Sequence, residues 1–227
     1  MCTVLLRHRP GTPCPLLLAA VRDEFLGRPW DPPAAHWPQE APGIIGGRDR
    51  IAGGTWLALD PGRRAVAAVL NGGPLPPAPR PSRGELPLAA LTGRLPADLT
   101  RYDAFHLILA TDTDLRVWSW DGTELLDREV PPGDHIVVND GLDAASDPLV
   151  PHFFPLLRKA DGRDDWVELL AGDGLAPTDP RALILRMRAP DGRDYGSSSA
   201  ALIALGERVR YDFAVDPGPS ARWDRII

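Results

Sequence analysis

The sequence predicts an α+β fold built mostly of antiparallel sheet. Short β-type apolar runs follow one another through most of the chain, and helical spacing is confined to a few grouped segments. The 26 prolines and 22 glycines fall between these runs, so they read as turns and not as disorder. With 227 residues, 44% apolar, and no clean linker, the chain is expected to form one domain over residues 1–227.

The elements follow in order. Cys2 to Leu6 is a short strand, Arg9-Pro10-Gly11-Thr12-Pro13 a turn, and Pro15 to Val21 a second strand, together a hairpin with a buried face. The second run gives way to Arg22-Asp23-Glu24, and charges at the end of a buried strand point at solvent or at a site. Ile44-Ile45-Gly46-Gly47 and Gly53 to Leu59 read as strands entered through glycine pairs. Asp60-Pro61-Gly62 turns the chain into a strand over Ala65 to Asn71. Residues 72–81 are Pro-rich loop. Ser82-Arg83-Gly84-Glu85 has capping-box spacing ahead of a helical stretch from Leu86 to Leu91, with Pro87 counting against the helix. Phe105–Thr111, Leu115–Trp120 and Thr123–Val130 form a meander turning at Asp121-Gly122, and His135–Asn139 is the next strand. Helical spacing covers 150–160 and 164–171, and strands over 183–188, 198–204 and 209–215 close the chain.

Composition removes several functions. Net charge is -6 with Arg and Asp interspersed, whereas nucleic-acid binding needs a concentrated basic face. The longest apolar run, Leu16 to Val21, is too short to span a bilayer, and the first residues lack the pattern of a signal peptide. Two cysteines, Cys2 and Cys14, are too few for a disulfide framework. A soluble cytoplasmic protein is expected. No Cys or His pair has zinc-ligand spacing, so no metal is expected. The glycine pairs 46–47 and 53–54 lack the Lys-Ser/Thr of a phosphate loop. Asp112, Asp114 and Asp121 read as turn residues, while His36 and His106 stay open, a lone histidine being usually structural.

Cys2 is the most informative position. Loss of Met1 before so small a residue leaves Cys2 with a free α-amine, whose ordinary pKa of about 8 suits it to act as base toward its own thiol. Such a nucleophile needs no distant histidine, in keeping with five histidines that form no triad. Taken alone, a cysteine opening an apolar strand is most often a small core residue.

The wider pattern of motifs bears on that choice. Met1-Cys2-Thr3-Val4-Leu5-Leu6 and Leu18-Ala19-Ala20-Val21-Arg22-Asp23-Glu24-Phe25 resemble the family named for its Asn-Arg-Asp-Glu motif, the NRDE or transport-and-Golgi-organisation protein two family. The resemblance continues through Arg28-Pro29-Trp30, Gly46-Gly47-Arg48-Asp49, Gly53-Gly54-Thr55-Trp56 and Ser82-Arg83-Gly84-Glu85-Leu86. It ends with His135-Ile136-Val137-Val138-Asn139, Leu142-Asp143 and Tyr195-Gly196, all in family order. It implies a four-layer αββα sandwich of the N-terminal-nucleophile hydrolase type. It also implies a distant likeness to acylases that use an N-terminal cysteine on C–N bonds.

By that resemblance Cys2 is the nucleophile, Asp23 holds its amine or thiol, Arg22 favours the thiolate, and Asn139 supplies an oxyanion-stabilising amide. Trp56, Asn71 and Ser198 are expected on the substrate side. The family's Asn is Val21 here, and Ser197-Ser198-Ser199 stand where the family usually carries an Arg. The expected reaction is hydrolysis or acyl transfer on an amide or related acyl bond, with no cofactor required. The partner is then a small-molecule acyl or amide substrate. The alternative is a non-catalytic protein that carries haem or a lipid in an apolar cavity between the sheets. A role in secondary metabolism would suit the altered motif. The oligomeric state is not legible.

Overall fold

Successive residues of the first two strands belong to two different cores, and this division sets the architecture. The protein is described by a computed structural model over residues 2–73 and 80–227. One sheet has eight strands. Along it lie β11 (Gly141–Leu142), β10 (Gly133–Val138), β1 (Thr3–His8), β2 (Leu16–Phe25), β13 (Asp194–Leu205), β14 (Val209–Val215) and β15 (Trp223–Arg225), with β12 (Arg186–Arg188) paired to β13. The second has seven strands in chain order. These are β3 (Trp30–Ala34), β4 (Ile45–Asp49), β5 (Leu57–Asp60), β6 (Ala65–Asn71), β7 (Phe105–Ala110), β8 (Leu115–Trp120) and β9 (Leu125–Glu129). Every ladder among the described residues is antiparallel.

Val4, Leu6, Leu16, Leu18 and Ala20 meet Leu57, Leu59, Val66, Ile108 and Val117 between the sheets. Their neighbours Leu5, Leu17, Ala19 and Val21 face the other way, under Phe153, Leu157 and Trp166 of α2 (Leu149–Lys159) and α3 (Gly162–Leu170). On the far side, Ala58, Ala67, Phe105 and Leu107 pack under α1 (Leu86–Thr92). The layers are therefore helix, sheet, sheet, helix. Each fully buried leucine in them contributes about 1.5–3 kcal/mol. That space between the sheets is filled with side chains.

Several elements differ from the sequence reading. β2 does not stop at Val21; it runs through the charges to Phe25, because β13 pairs with it from Tyr195↔Phe25 to Leu205↔Leu16. β5 starts only at Leu57, since the chain before it is pressed on a turn: Thr55 N donates to Gly84 O at 2.8 Å. The helix after Ser82 forms despite Pro87, which occupies its first turn, where no intrahelical donor is required. Ser82 Oγ caps Gly84 N at 3.1 Å, while the Glu85 carboxylate accepts from the Tyr102 hydroxyl and does not close a capping box. Strands β3, β11 and β15 carry no periodic signal long enough to read. Residues 74–79 of the Pro-rich loop lie outside the described residues. Among the described residues no helix is long and apolar enough to cross a membrane.

Candidate active site

The start of β1 and the ends of β2 and β10 meet at one rim of the sandwich. The registers Thr3↔Val21 and Val4↔Val137, continued by one and by two steps, set Cys2 between Arg22 and Asn139. Cys2 N donates to Asn139 Oδ1 at 2.9 Å, and the thiol points to the main-chain carbonyl of Asp23 at 3.8 Å. Burial, reinforced by the charge of Asp23, pushes the Cys2 thiol pKa up, while Arg22 pulls it down.

Strand alternation sends Arg22 and Asp23 to opposite faces. Arg22 turns between the sheets and is only 5% exposed. Its guanidinium lies 4.3 Å from the ring centre of Trp56 and pairs with Glu24 at 3.5 Å and Asp49 at 3.6 Å. Asp23, 6% exposed, turns under the helices and accepts from Ser197 Oγ at 2.6 Å. Burial raises its pKa to about 6, against the opposing pull of the Ser197 bond and Arg186. Ser197 Oγ itself accepts from Leu185 N at 2.9 Å, and Tyr195 donates its hydroxyl to the Asp23 carbonyl at 3.2 Å.

Both faces are served by one irregularity. The β2–β13 ladder steps from Ser197↔Asp23 to Ser199↔Arg22, so Ser198 is bulged out. Ser198 Oγ donates to the Arg22 carbonyl at 3.1 Å and accepts from Arg22 Nη1 at 3.2 Å. Ser198 thus buttresses Arg22.

Asn139 is anchored from the second sheet. His106 Nε2 lies 3.0 Å from the Asn139 carbonyl oxygen, and His106 Nδ1 2.8 Å from Ser119 Oγ. His106 and Ser119 share the inner face with Ile108 and Val117, and the ladder sets them opposite each other. The sequence reading left His106 open and did not single out Ser119 or Ser197. For His106 and Ser119 the available signal was one polar residue on the inner, otherwise apolar face of β7 and of β8.

Two spaces open here. A crevice of about 10 Å³ beside Cys2, Asp23 and Asp147 has room for about one water molecule at most. A larger cavity of about 560 Å³ lies on the far side of Asn139, walled by His106, Ser119, Trp120 and Gly72. Of the expected substrate-side residues, Trp56 stacks on Arg22 and Ser198 fixes it. Asn71 is not brought to Cys2: it is exposed, and its ladder partner Phe105 packs on the α1 side of the sheet.

A haem needs an unengaged nitrogen or sulfur ligand facing a wide cavity. Both ring nitrogens of His106 are hydrogen-bonded and Cys2 opens onto the small crevice, so the Cys2 site does not fit a haem. Among the described residues no group of three or more His, Cys, Asp or Glu is placed to hold a metal ion.

Residues 1–161 match the family model described as Transport and Golgi organisation 2. No curated protein matches the chain. Among solved structures, the R18L variant of conjugated bile acid hydrolase from Clostridium perfringens matches with a TM-score of 0.53. That match covers 99% of this chain and 92% of the other at 10% identity, so it shows the fold, that of the N-terminal-nucleophile hydrolases.

Proposed function

The chain belongs to the transport and Golgi organisation 2 family, and from that membership together with the rim geometry we propose that it is an N-terminal-cysteine hydrolase or acyltransferase acting on an amide or related acyl bond. The observation that carries the proposal is the Cys2 nitrogen held at 2.9 Å by Asn139, with the thiol beside it and Arg22 next in the sheet. With Met1 removed, that nitrogen is an α-amine. It takes the thiol proton as the sulfur attacks the substrate carbonyl carbon, and it returns the proton to the leaving amine as the C–N bond breaks. Water then attacks the thioester, again giving a proton to the amine, and the acid leaves with the thiol restored. In acyl transfer an amine replaces that water.

Asn139 Oδ1 orients the amine, and its Nδ2 supplies a donor for the oxyanion. Arg22 lowers the thiol pKa that burial and Asp23 raise. Val21 packs with Leu5 and Ala19 under the helices, away from the large cavity, so the loss of the family's amide there leaves the cavity-side groups in place.

Two measurements test the proposal. Intact-mass spectrometry should show Met1 removed, and a panel of N-acyl amides should be turned over by the wild type and not by a folded Cys2→Ala variant. Retained Met1, or unchanged activity in Cys2→Ala, would overturn it.

A further inference from the structure

β9 is the last strand of the second sheet, with β8 on one side and no strand on the other among the described residues. All of its residues are exposed, so neither of its faces is covered, and Leu125 and Leu126 are 40% and 46% exposed. Its outer edge has a definite phase. Asp121 N donates to Glu124 O at 3.2 Å and Val130 N to Leu115 O at 2.8 Å, so Glu124 and Val130 turn their main-chain groups toward the β8 side. Those groups alternate in an antiparallel ladder. Leu126 and Arg128 therefore bond β8, while Leu125, Asp127 and Glu129 turn their amides and carbonyls outward. An open row of this kind is a template for another strand. Side chains alternate too: Glu124, Leu126 and Arg128 share the face of Ser119 and Val117, and Leu125 and Asp127 that of Trp118.

We propose that the β9 edge is the interface of a two-fold dimer, its partner a second copy of this chain. A two-fold axis perpendicular to the sheet pairs β9 with its copy antiparallel and keeps each face with its like, so the axis must pass through a residue and not between two. Charge then selects the residue. An axis at Asp127 sets two carboxylates against each other. An axis at Arg128 opposes two guanidiniums and sets Asp127 against Glu129. An axis at Leu126 brings the two Leu126 side chains together and places Glu124 opposite Arg128 of the second copy, twice. These pairs fall at the positions without ladder bonds, where Cα atoms approach to about 4.5 Å and side chains are closest. Among the described residues neither Glu124 nor Arg128 makes an ion pair within the chain. On the other face Leu125 meets Asp127 of the second copy, whose charge is already offset by Arg116 through two bonds of 2.6 Å. The dimer does not depend on the chemistry at Cys2.

Sedimentation equilibrium of the full chain should show the average mass rising with concentration from 24.6 kDa toward twice that value. Glu124→Arg and Arg128→Glu should each weaken the dimer about tenfold or more, because two symmetry-related pairs turn repulsive at once. Combined in one chain they should restore it, which also shows that both substitutions fold. Leu126→Cys should give a disulfide-linked dimer on mild oxidation and Leu125→Cys should not, since in this register only residue 126 faces itself. A protein that stays monomeric at its highest soluble concentration would overturn the inference. So would a monomer whose Leu125, Asp127 and Glu129 amides exchange slowly, because another segment of the same chain would then occupy the edge. A dimer unmoved by the single reversals, reversals that fail to rescue each other, or equal cross-linking at 125 and 126 would overturn it as well.

Discussion

His106 Nε2 sits 3.0 Å from the carbonyl oxygen of Asn139, so the second sheet holds the residue that holds Cys2 in the first. A carbonyl only accepts, so Nε2 carries the proton and Nδ1 accepts from the Ser119 hydroxyl. One imidazole in a fixed tautomer therefore ties the two sheets together at the rim.

His106→Leu should lower turnover about tenfold and stability by about 1–3 kcal/mol, the cost of leaving a buried carbonyl unpaired. His106→Gln, which can donate, should recover part of both. Because Asn139 orients the Cys2 amine, the pH dependence of Cys2 alkylation should also shift in His106→Leu. An alkylation profile identical to wild type would show that His106 is only a packing residue.

Asp23 should give an inverted stability profile. Its pKa rises from 3.8 to about 6 on folding, so the fold prefers the protonated acid. The stability it contributes is full below 3.8 and is lost as pH rises through about 6. Asp23→Asn should therefore raise the melting temperature at neutral pH, by on the order of 2–3 kcal/mol of stability, and leave it unchanged in acid. The Cys2 thiol should become reactive at lower pH, since the charge of Asp23 raises its pKa. Calorimetry and rate profiles across pH check both halves.

Arg22→Met should destabilise the protein by about 3 kcal/mol, because Glu24 and Asp49 lose a buried cation. It should also raise the pH at which Cys2 becomes reactive, since Arg22 lowers that thiol's pKa. Arg22→Lys keeps the charge but not the planar stack on Trp56, so it should restore the alkylation profile more fully than the stability. Urea unfolding and iodoacetamide kinetics separate the two effects.

Gly47→Ala tests the support of that stack. A Cβ at position 47 would come 2.5 Å from Trp56 Cζ2, so the indole must move off its site under Arg22. A loss of about 1–3 kcal/mol and a change in Trp56 fluorescence are expected. Unaltered stability would mean that the ring has room to shift.

Much of the fold is written locally. The apolar runs of β1 and β2 give the hairpin expected, though it is buried on both faces and not on one, and the turn at Asp121-Gly122 falls where expected, with Gly122 at a φ of 104° that glycine adopts readily. Cys2, Arg22, Asp23 and Asn139 were legible through motif order, and the structure brings them to one rim. What stayed hidden depends on contacts distant in sequence. β2 extends through its charges only because β13, more than 170 residues later, pairs with them. His106 joins Asn139 across 33 residues and two sheets, and no spacing rule reports such a meeting. Asn71 is expected on the substrate side from the family resemblance, yet its register faces it away from Cys2.

The extra residue at Ser198 makes the rim modular. Because it is surplus to the ladder, excising it would rejoin Ser197 to Ser199 in regular pairing, with Ser197 still opposite Asp23 and Ser199 opposite Arg22. The clasp on the guanidinium would be lost, together with the carbonyl that accepts from Asp216 N at 3.1 Å. Deletion here is thus gentler than deletion anywhere else in the strand, where every later side chain would change faces. Evolution can adjust the cation beside the cysteine by a single-codon indel while the carboxylate beneath it stays in place.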